Sequence, residues 1–224
     1  MAGFRARIED LPSEFAVFPL PGALLLPRGH LPLNIFEQRY LAMTEDALAN
    51  RRMMAMIQPD PGLPDTPNGP ALYRIGCLGR VSSFSETEDG RMLITLTGLA
   101  RFSIASEIDM RRGYRRVIGD FSRFRADMNE PEETGIDREG LLDALRGFFA
   151  RRGVDPNWDA VNRLADDALV VTLAMVCPFE PIEKQALLEA PSEAERADTL
   201  LALLRMGAAE PAGSPGGSTS HSVS

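Results

Sequence analysis

The amino-acid sequence predicts an α+β fold in which a β-rich part, residues 15–125, precedes a helical part, residues 136–206. In the first part, short apolar runs alternate with proline- and glycine-containing breaks, a pattern typical of strands and turns. In the second part, apolar residues recur three and four positions apart, the spacing of one helix face. Residues 1–125 carry 16 Lys/Arg against 14 Asp/Glu, whereas residues 126–224 carry 8 against 18, so the net charge of −8 arises in the second part. This change in charge supports a two-part organisation.

Prolines divide the first apolar segment, Val17–Leu26, into two short extended runs. Pro19, Pro21 and Pro27 fix φ and remove backbone N–H donors, so the sequence predicts edge strands and turns here. A further turn is predicted at residues 28–30, which places His30 in a solvated loop.

A helix is predicted to begin near residue 37, where the apolar spacing changes to three and four. The residues at that spacing are Tyr40, Leu41, Thr44, Ala47 and Leu48. Asn34 is the candidate N-cap. Glu37 then falls in the first turn, where the helix dipole favours a carboxylate.

The middle of the chain predicts a buried strand, a loop and a long hairpin. The strand is MMAMIQ, residues 53–58, and the loop is residues 59–70, which contain five prolines and two glycines. The hairpin turns at residues 88–90, where Gly90 allows φ > 0. Alternation over residues 92–97 is imperfect, so we expect that strand to be buried on both faces. Gly98 is expected where the backbone packs closely.

Capping residues mark the first helices of the second part. Asp137 is the predicted cap of the first, and Gly153 ends it. Pro156 is predicted to open the next helix, which continues to a stop at residues 177–178, Cys-Pro.

Two shorter segments complete the predicted helices. Pro181 opens a helix through Leu188, and Ser192 opens the last with a capping-box pattern. Residues 207–224 are small and polar and are predicted to be disordered.

Four segments together resemble the Lon N-terminal domain family, the substrate-binding region of Lon proteases, which also occurs as stand-alone proteins. They are residues 18–43, residues 72–104 with a Y-x-I-G entry and a G-x-x-R-F exit, residues 113–121, and residues 178–204. The resemblance runs from about residue 15 to residue 204. It implies a PUA-like β pseudo-barrel followed by a helical bundle. It also implies that the protein binds unfolded protein or peptide segments, as an adaptor to a protease or chaperone in protein quality control.

Catalytic motifs are missing from the sequence. Full Lon proteases use a P-loop ATPase and a Ser–Lys dyad, but this sequence has no G-x-x-x-x-G-K-[ST] and only one lysine, Lys184, in a helical segment. His30 and His221 are isolated, and Cys77 and Cys177 lie far apart, which excludes a disulfide framework or zinc spacing. We therefore predict a protein that is not an enzyme, uses no cofactor or metal, and buries two reduced thiols.

The residues left for function are those of a binding surface. Tentative peptide-binding residues are Leu24, Leu25, Leu26, Glu37, Arg39 and Tyr40. For the three leucines, a place in the core is the favoured alternative. Glu37, Arg39 and Tyr40 match the helix-entry motif of the family, where capping the helix is the competing role.

A PUA-like RNA-binding module is the alternative. Arginines cluster between residues 111 and 125, at Arg111, Arg112, Arg115, Arg116, Arg123 and Arg125. Phosphate binding requires such cations on one face, and strand parity divides these between two faces. The acidic overall charge also opposes nucleic acid. No apolar run reaches the length of a membrane span, and the N-terminus has no signal-peptide core, so we expect a cytoplasmic protein without membrane contact.

Overall fold

The computed structural model describes residues 7–130 and 135–209, which form one mixed sheet and six α-helices. The strands are β1 (Glu14–Pro19), β2 (His30–Ile35), β3 (Met53–Ile57), β4 (Ile75–Glu86), β5 (Met92–Arg111) and β6 (Tyr114–Asp120). The helices are α1 (Gln38–Ala49), α2 (Arg138–Arg152), α3 (Trp158–Asn162), α4 (Asp166–Val176), α5 (Pro181–Glu189) and α6 (Glu193–Ala209). Two 3₁₀ segments, Ile8–Asp10 and Ser122–Met128, flank the sheet in sequence. The predicted α+β class is confirmed.

The 20-residue strand β5 closes the sheet on itself. The strand order is β2-β5-β4-β3-β1-β6, and β5 also pairs with β6. Five strands therefore form a ring, while β2 stays outside it and pairs with the first part of β5. β1 and β3 run parallel, and the other pairings are antiparallel.

Two apolar clusters lie on opposite sides of the ring strands. The inner cluster takes side chains from all five ring strands, among them Val17, Leu78 and Phe102. The other cluster joins the outside of the ring to the helices and contains both Leu96 of β5 and Phe148 of α2. Burial on both sides explains why β1 and β3 read as nearly continuous apolar runs.

Buried polar side chains also join helix α5 to the chain segments that follow β1 and β3. Gln58, after β3, donates from Nε2 to Oε1 of Gln185 on α5 at 3.1 Å. Lys184 Nζ donates to the carbonyl oxygen of Gly22 at 2.8 Å. These bonds satisfy polar groups that burial would otherwise destabilise.

The proline-containing opening differs from its prediction in two places. β1 lies inside the sheet, between β3 and β6, rather than at an edge. Pro19 is tolerated there because it is the last residue of the strand. The run Leu24–Leu26 is a buried loop and forms no strand. The loop is held against β5 by the N–H of Arg28, which donates to the Gly98 carbonyl at 2.9 Å.

The turn predicted at residues 28–30 lies at residues 27–28, where Arg28 has φ of 67°, and does not include His30. The predicted cap at Asn34 is wrong, because His30 and Asn34 both belong to β2. β2 pairs with β5 over its whole length, from His30 opposite Thr97 to Ile35 opposite Met92. Glu37 is the actual N-cap of α1, with extended backbone angles and no side-chain capping bond. The helix therefore begins at Gln38.

The start of β5 is buried on one face only, contrary to prediction. Met92, Ile94 and Leu96 are buried, whereas Leu93 between them is 46% exposed. The partly buried threonines at 95 and 97 continue the outer face. Close backbone packing at Gly98 was predicted correctly: a Cβ there would lie 2.8 Å from the carbonyl carbon of Leu26 and closer still to its oxygen.

The helix ends in the second part follow the predicted capping signals, with one exception. Asp137 accepts from the Gly140 N–H at 2.9 Å, and Gly153 ends α2 with φ of 64°. Ser192 Oγ accepts from the Glu195 N–H at 3.1 Å at the start of α6. α6 continues to Ala209, and residues 210–224 of the predicted tail lie outside the described residues.

The exception is the helix predicted to run unbroken to residue 176, which the structure divides into α3 and α4. Asn157, rather than Pro156, caps α3 by accepting from the Ala160 N–H. Arg138 of α2 occupies the break, since its guanidinium donates to the Asn162 carbonyl at 2.9 Å and to Asp166 Oδ1 at 2.6 Å.

Candidate peptide-binding groove

Three adjoining cavities follow the edge strand β2 and form what we call the β2 groove. The central cavity, of about 410 Å³, lies between Phe18–Pro21 and residues 32–40. The strand-end cavity, of about 560 Å³, lies over β2, β4 and β5, and shares residues 32–34 with the central one. The arginine-end cavity, of about 280 Å³, shares Pro19, Pro21, Arg39 and Tyr40 with the central one. The shared lining residues place the three cavities side by side.

Large apolar side chains are exposed along this groove. Phe36, between β2 and α1, is 61% exposed, and Phe84 of β4 is 46% exposed. The sheet register places Leu33 and Phe84 on either side of Ile94, so these three side chains share one face. Exposed aromatic rings beside apolar cavities are typical of a binding surface.

The predicted residues Glu37, Arg39 and Tyr40 line the central cavity. Arg39 donates from Nε to Glu37 Oε2 at 3.1 Å, and its Nη2 lies 2.9 Å from the same oxygen. Its guanidinium carbon lies 4.6 Å from the centre of the Tyr40 ring, and that ring packs on Phe18 with centroids 4.1 Å apart. Tyr40 is buried, and burial raises the pKa of its hydroxyl, which opposes the lowering effect of Arg39. The hydroxyl is therefore neutral at physiological pH.

Leu24, Leu25 and Leu26 do not line the groove. Their side chains are 0–1% exposed and belong to the cluster shared with the helices. A side chain without accessible surface cannot contact a peptide, so the structure favours their alternative role in the core. We leave the three leucines out of the proposed site.

The arginines of residues 111–125 do not form one free cationic face. Arg112 pairs with Glu45 at 2.7 Å and with Asp46 at 3.0 Å, both on α1. Arg116 pairs with Glu14 of β1 at 2.5 Å.

Three of the four remaining members of this arginine cluster also have partners. Arg111 lies 3.3 Å from Asp46, and Arg115 is buried against Glu107 and the Pro70 carbonyl. Arg123 lies over the Phe124 ring. Phosphate binding would have to displace several of these carboxylates, so the geometry disfavours the RNA-binding alternative.

The thiols and the described acidic residues form no reactive centre. Cys77 and Cys177 are unpaired and buried; burial raises the pKa of the Cys77 thiol well above its usual range and that of Cys177 to about 12. Both are therefore protonated and unreactive at neutral pH. Within residues 7–130 and 135–209, no His, Cys, Asp and Glu side chains converge as a metal site would require. In the same residues no helix has the length and apolar character needed to span a bilayer.

Several groove residues escaped prediction from the sequence. Phe36 and Phe84 were not singled out, and Arg115 was grouped with surface arginines although its side chain is 6% exposed. Phe84 had a detectable signal, because it is the one large apolar residue in the polar run Ser82–Glu86. The position of Phe36 depends on β2, which was not predicted.

Relatives with this sequence pattern are Lon proteases. The Lon protease of Brucella suis is 23% identical over 197 residues, which are 85% of this chain and 23% of that protein. The Lon protease of Anaeromyxobacter dehalogenans is 26% identical over 96 residues, 43% of this chain and 11% of that protein. The chain therefore spans less than a quarter of the length of these curated relatives.

Solved structures show the same fold. A Lon N-terminal domain protein from Xanthomonas campestris matches with a TM-score of 0.58 at 20% identity, covering 85% of this chain and 98% of that one. The N-terminal domain of the Lon protease from Mycobacterium avium complex matches with a TM-score of 0.59 at 18% identity, covering 88% and 98%. The family model of the ATP-dependent protease La (LON) substrate-binding domain matches residues 14–206. With that match over most of its length, the chain belongs to the LON substrate-binding domain family.

Proposed function

We propose that this protein binds extended apolar segments of unfolded polypeptides in the β2 groove and acts as a non-catalytic adaptor to a protease or chaperone. The observation that carries the proposal is the presence of three adjoining cavities beside the exposed rings of Phe36 and Phe84. Membership of a substrate-binding domain family supports it. A groove of this shape fits an extended chain better than a compact ligand.

Side-chain burial is the expected source of affinity. Full burial of a large apolar side chain is worth about 1.5–3 kcal/mol, and both partners contribute such groups. Ordering a flexible peptide opposes much of this gain. Pro32 also removes one N–H from the edge strand, which weakens a continuous backbone ladder with the peptide. We therefore place affinity in the micromolar range, about −8 kcal/mol or weaker.

The finer description of the fold is part of this proposal. We assign the five-strand ring to the PUA-like pseudo-barrel type and the helices to a bundle. We also retain the division into residues 15–125 and 136–206. Ring closure by β5 and β6 supports the first assignment. The apolar cluster shared by Leu96 and Phe148 indicates that the two units are packed together.

Peptide binding should respond to salt differently from nucleic-acid binding. We expect micromolar binding of apolar peptides that changes little between low and physiological salt, because apolar burial is not screened. RNA binding should be weak and should fall steeply with salt. Titration of a peptide library from a denatured protein and of a mixed RNA, each at two salt concentrations, measures both.

Variants of exposed apolar residues locate the peptide site. Phe84→Ser should weaken peptide binding several-fold, whereas Ile182→Ser should not, although Ile182 is 68% exposed on α5. Equal affinities for both variants and the unchanged protein would overturn the groove assignment. Tight RNA binding that is lost in an Arg112→Glu, Arg116→Glu variant would establish the other ligand class.

The purified protein should neither hydrolyse ATP nor cleave unfolded casein. The sequence has no P-loop, and its one lysine, Lys184, donates to the backbone carbonyls of Gly22 and Met175 instead of facing a serine. Phosphate release and peptide release assays test this expectation. Turnover that persists through repurification and disappears on a point substitution in this chain would contradict it.

A further inference from the structure

We infer that the β2 groove selects apolar segments that carry an acidic side chain next to the apolar residues, with that carboxylate at the arginine-end cavity. This inference rests on the proposed function and adds a chemical preference and an orientation to it. Its basis is the unequal distribution of charge along the groove.

The charged residues that line the groove change from one end to the other. The strand-end cavity has no charged residue in its wall. The central cavity has Glu37 and Arg39, which pair with each other. The arginine-end cavity has Arg39 and Arg115 and no acidic residue in its wall. The protein has a net charge of −8, so a cavity wall with two arginines and no carboxylate is unlike the molecule as a whole.

Arg39 is available for a ligand. Its side chain is 53% exposed and that of Glu37 is 46% exposed, so the ion pair between them is solvated. An exposed pair of this kind contributes at most about 1 kcal/mol. A peptide carboxylate brought into the partly enclosed cavity can therefore replace Glu37 as the partner of Arg39.

Arg115 is the second arginine in the wall of this cavity, and it is largely buried. It donates to the Pro70 carbonyl at 2.6 Å and pairs with Glu107, yet its buried Nε has no hydrogen-bond partner among the described residues. Glu107 also accepts from Asn68 at 3.2 Å, so this carboxylate is shared between two donors. Glu107 balances the charge of Arg115, so Arg39 is the residue expected to pair with the peptide carboxylate.

The preferred carboxylate is an internal aspartate or glutamate, not a chain terminus. The cavity is open toward Met110 and Arg39, which are about half exposed, so a bound chain can continue beyond it. The adjoining apolar walls of Pro19 and Pro21 place the acidic residue beside the residue held in the central cavity. Specificity then arises from one charge beside an apolar anchor.

Capped peptides of one composition test the inference by fluorescence anisotropy. Each has the same apolar block, with glutamate at its N-terminal side, glutamate at its C-terminal side, or glutamine at both. We expect one of the two glutamate peptides to bind about three- to tenfold more tightly than the glutamine peptide at low salt. That ratio should decrease at physiological salt, whereas the affinity of the glutamine peptide should not.

Arginine variants assign the preference to its residue. Arg39→Gln should reduce the ratio of glutamate-peptide to glutamine-peptide affinity to near one, and Arg39→Lys should retain most of that ratio. Arg123→Gln changes an exposed arginine outside the groove and should leave the ratio unchanged.

Equal binding of all three capped peptides would overturn the inference. If Phe84→Ser still weakened that equal binding, the proposed groove would stand. If Phe84→Ser had no effect on any peptide, the proposed function itself would fail. If affinity increased only when the glutamine peptide had a free C-terminal carboxylate, and not with either capped glutamate peptide, the assignment to an internal side chain would be overturned.

Discussion

Replacing Arg101 with methionine should lower the free energy of unfolding by about 3 kcal/mol. Arg101 and Asp127 are 6% and 8% exposed, and they form two parallel bonds, Nε to Oδ2 at 2.9 Å and Nη2 to Oδ1 at 2.8 Å. Nη1 donates to the carbonyls of Leu188 at 3.1 Å and Ala190 at 2.5 Å. The substitution therefore leaves two buried carbonyl oxygens without their donor, and it leaves the buried carboxylate only the backbone N–H of residue 101, at 2.9 Å from Oδ2.

The expected loss of about 3 kcal/mol is at the lower end of the range for a broken buried ion pair because a second arginine lies nearby. Arg196 is 3% exposed, and its pKa is lowered to about 10 by burial and by the charge of Arg101. Removal of Arg101 relieves that repulsion, and Arg196 still balances part of the charge of Asp127. Chemical denaturation measures the loss.

Two comparisons identify the cause of the Arg101 effect. Arg146→Met breaks an ion pair whose side chains are 56% and 75% exposed, and it should cost less than about 1 kcal/mol. Adding Asp127→Leu to Arg101→Met removes the unpaired carboxylate and should recover part of the stability. Equal denaturation midpoints for Arg101→Met and Arg146→Met would show that the buried pair does not stabilise the fold.

Gly98→Val should destabilise the protein by about 3 kcal/mol or more, the upper end of the range for overpacking. The new Cβ would meet the backbone of Leu26 and lie 3.3 Å from Pro27 Cα, and backbone cannot rotate away as a flexible side chain can. Movement of this loop would also break two hydrogen bonds, Arg28 N–H to the Gly98 carbonyl and Gly98 N–H to the Gly29 carbonyl, each 2.9 Å.

Thermal unfolding measures the Gly98 effect, because a loss of this size corresponds to a decrease in Tm of about 6–12 °C for a chain of this length. Gly135→Ala is the control, since a Cβ at Gly135 has no atom within 4 Å. That variant should unfold within about 1–2 °C of the unchanged protein. A Gly98→Val protein with the same Tm would show that the loop adjusts without loss.

Local signals predicted much of the fold. Gly90 at a hairpin turn, Asp137 and Ser192 as helix caps, and Gly153 as a helix end act through their own backbone or a residue three positions away. Such short-range effects can be read from a single sequence. The four-segment resemblance to the Lon N-terminal domain family was likewise confirmed by the family match over residues 14–206.

Features set by distant partners were not predictable in the same way. β2 is a strand because β5, sixty residues away, supplies its hydrogen bonds. Leu31, Leu33 and Ile35 alternate as in a half-buried strand, but Pro32 in the same segment favoured a turn or loop interpretation. Leu24–Leu26 are buried because helices that come late in the chain cover them. The break between α3 and α4 likewise depends on Arg138 of another helix.

The candidate site shows the same division. Glu37, Arg39 and Tyr40 were predicted together because they match the short helix-entry motif of the family, and they line the central cavity. The neutralisation of Arg112 was missed because Glu45 and Asp46 are almost seventy positions earlier. Periodicity along one strand predicts which face of the sheet an arginine side chain occupies. It does not predict the charge of the residue that packs against that side chain from another element.

Ring closure also has a consequence for how the chain is made. β1 pairs with β6, so Phe15 can pair with Val117 only after β6 has been synthesised. The Gly22 carbonyl likewise accepts its hydrogen bond from Lys184, which comes 162 residues later. At a synthesis rate of about 5–20 residues per second, the emerging β1 remains without its β6 partner for about 5–20 s. Non-local pairing of this kind folds slowly once the chain is complete. During that interval the apolar faces of Phe15 and Val17 are open to the same quality-control machinery that the finished protein is proposed to serve.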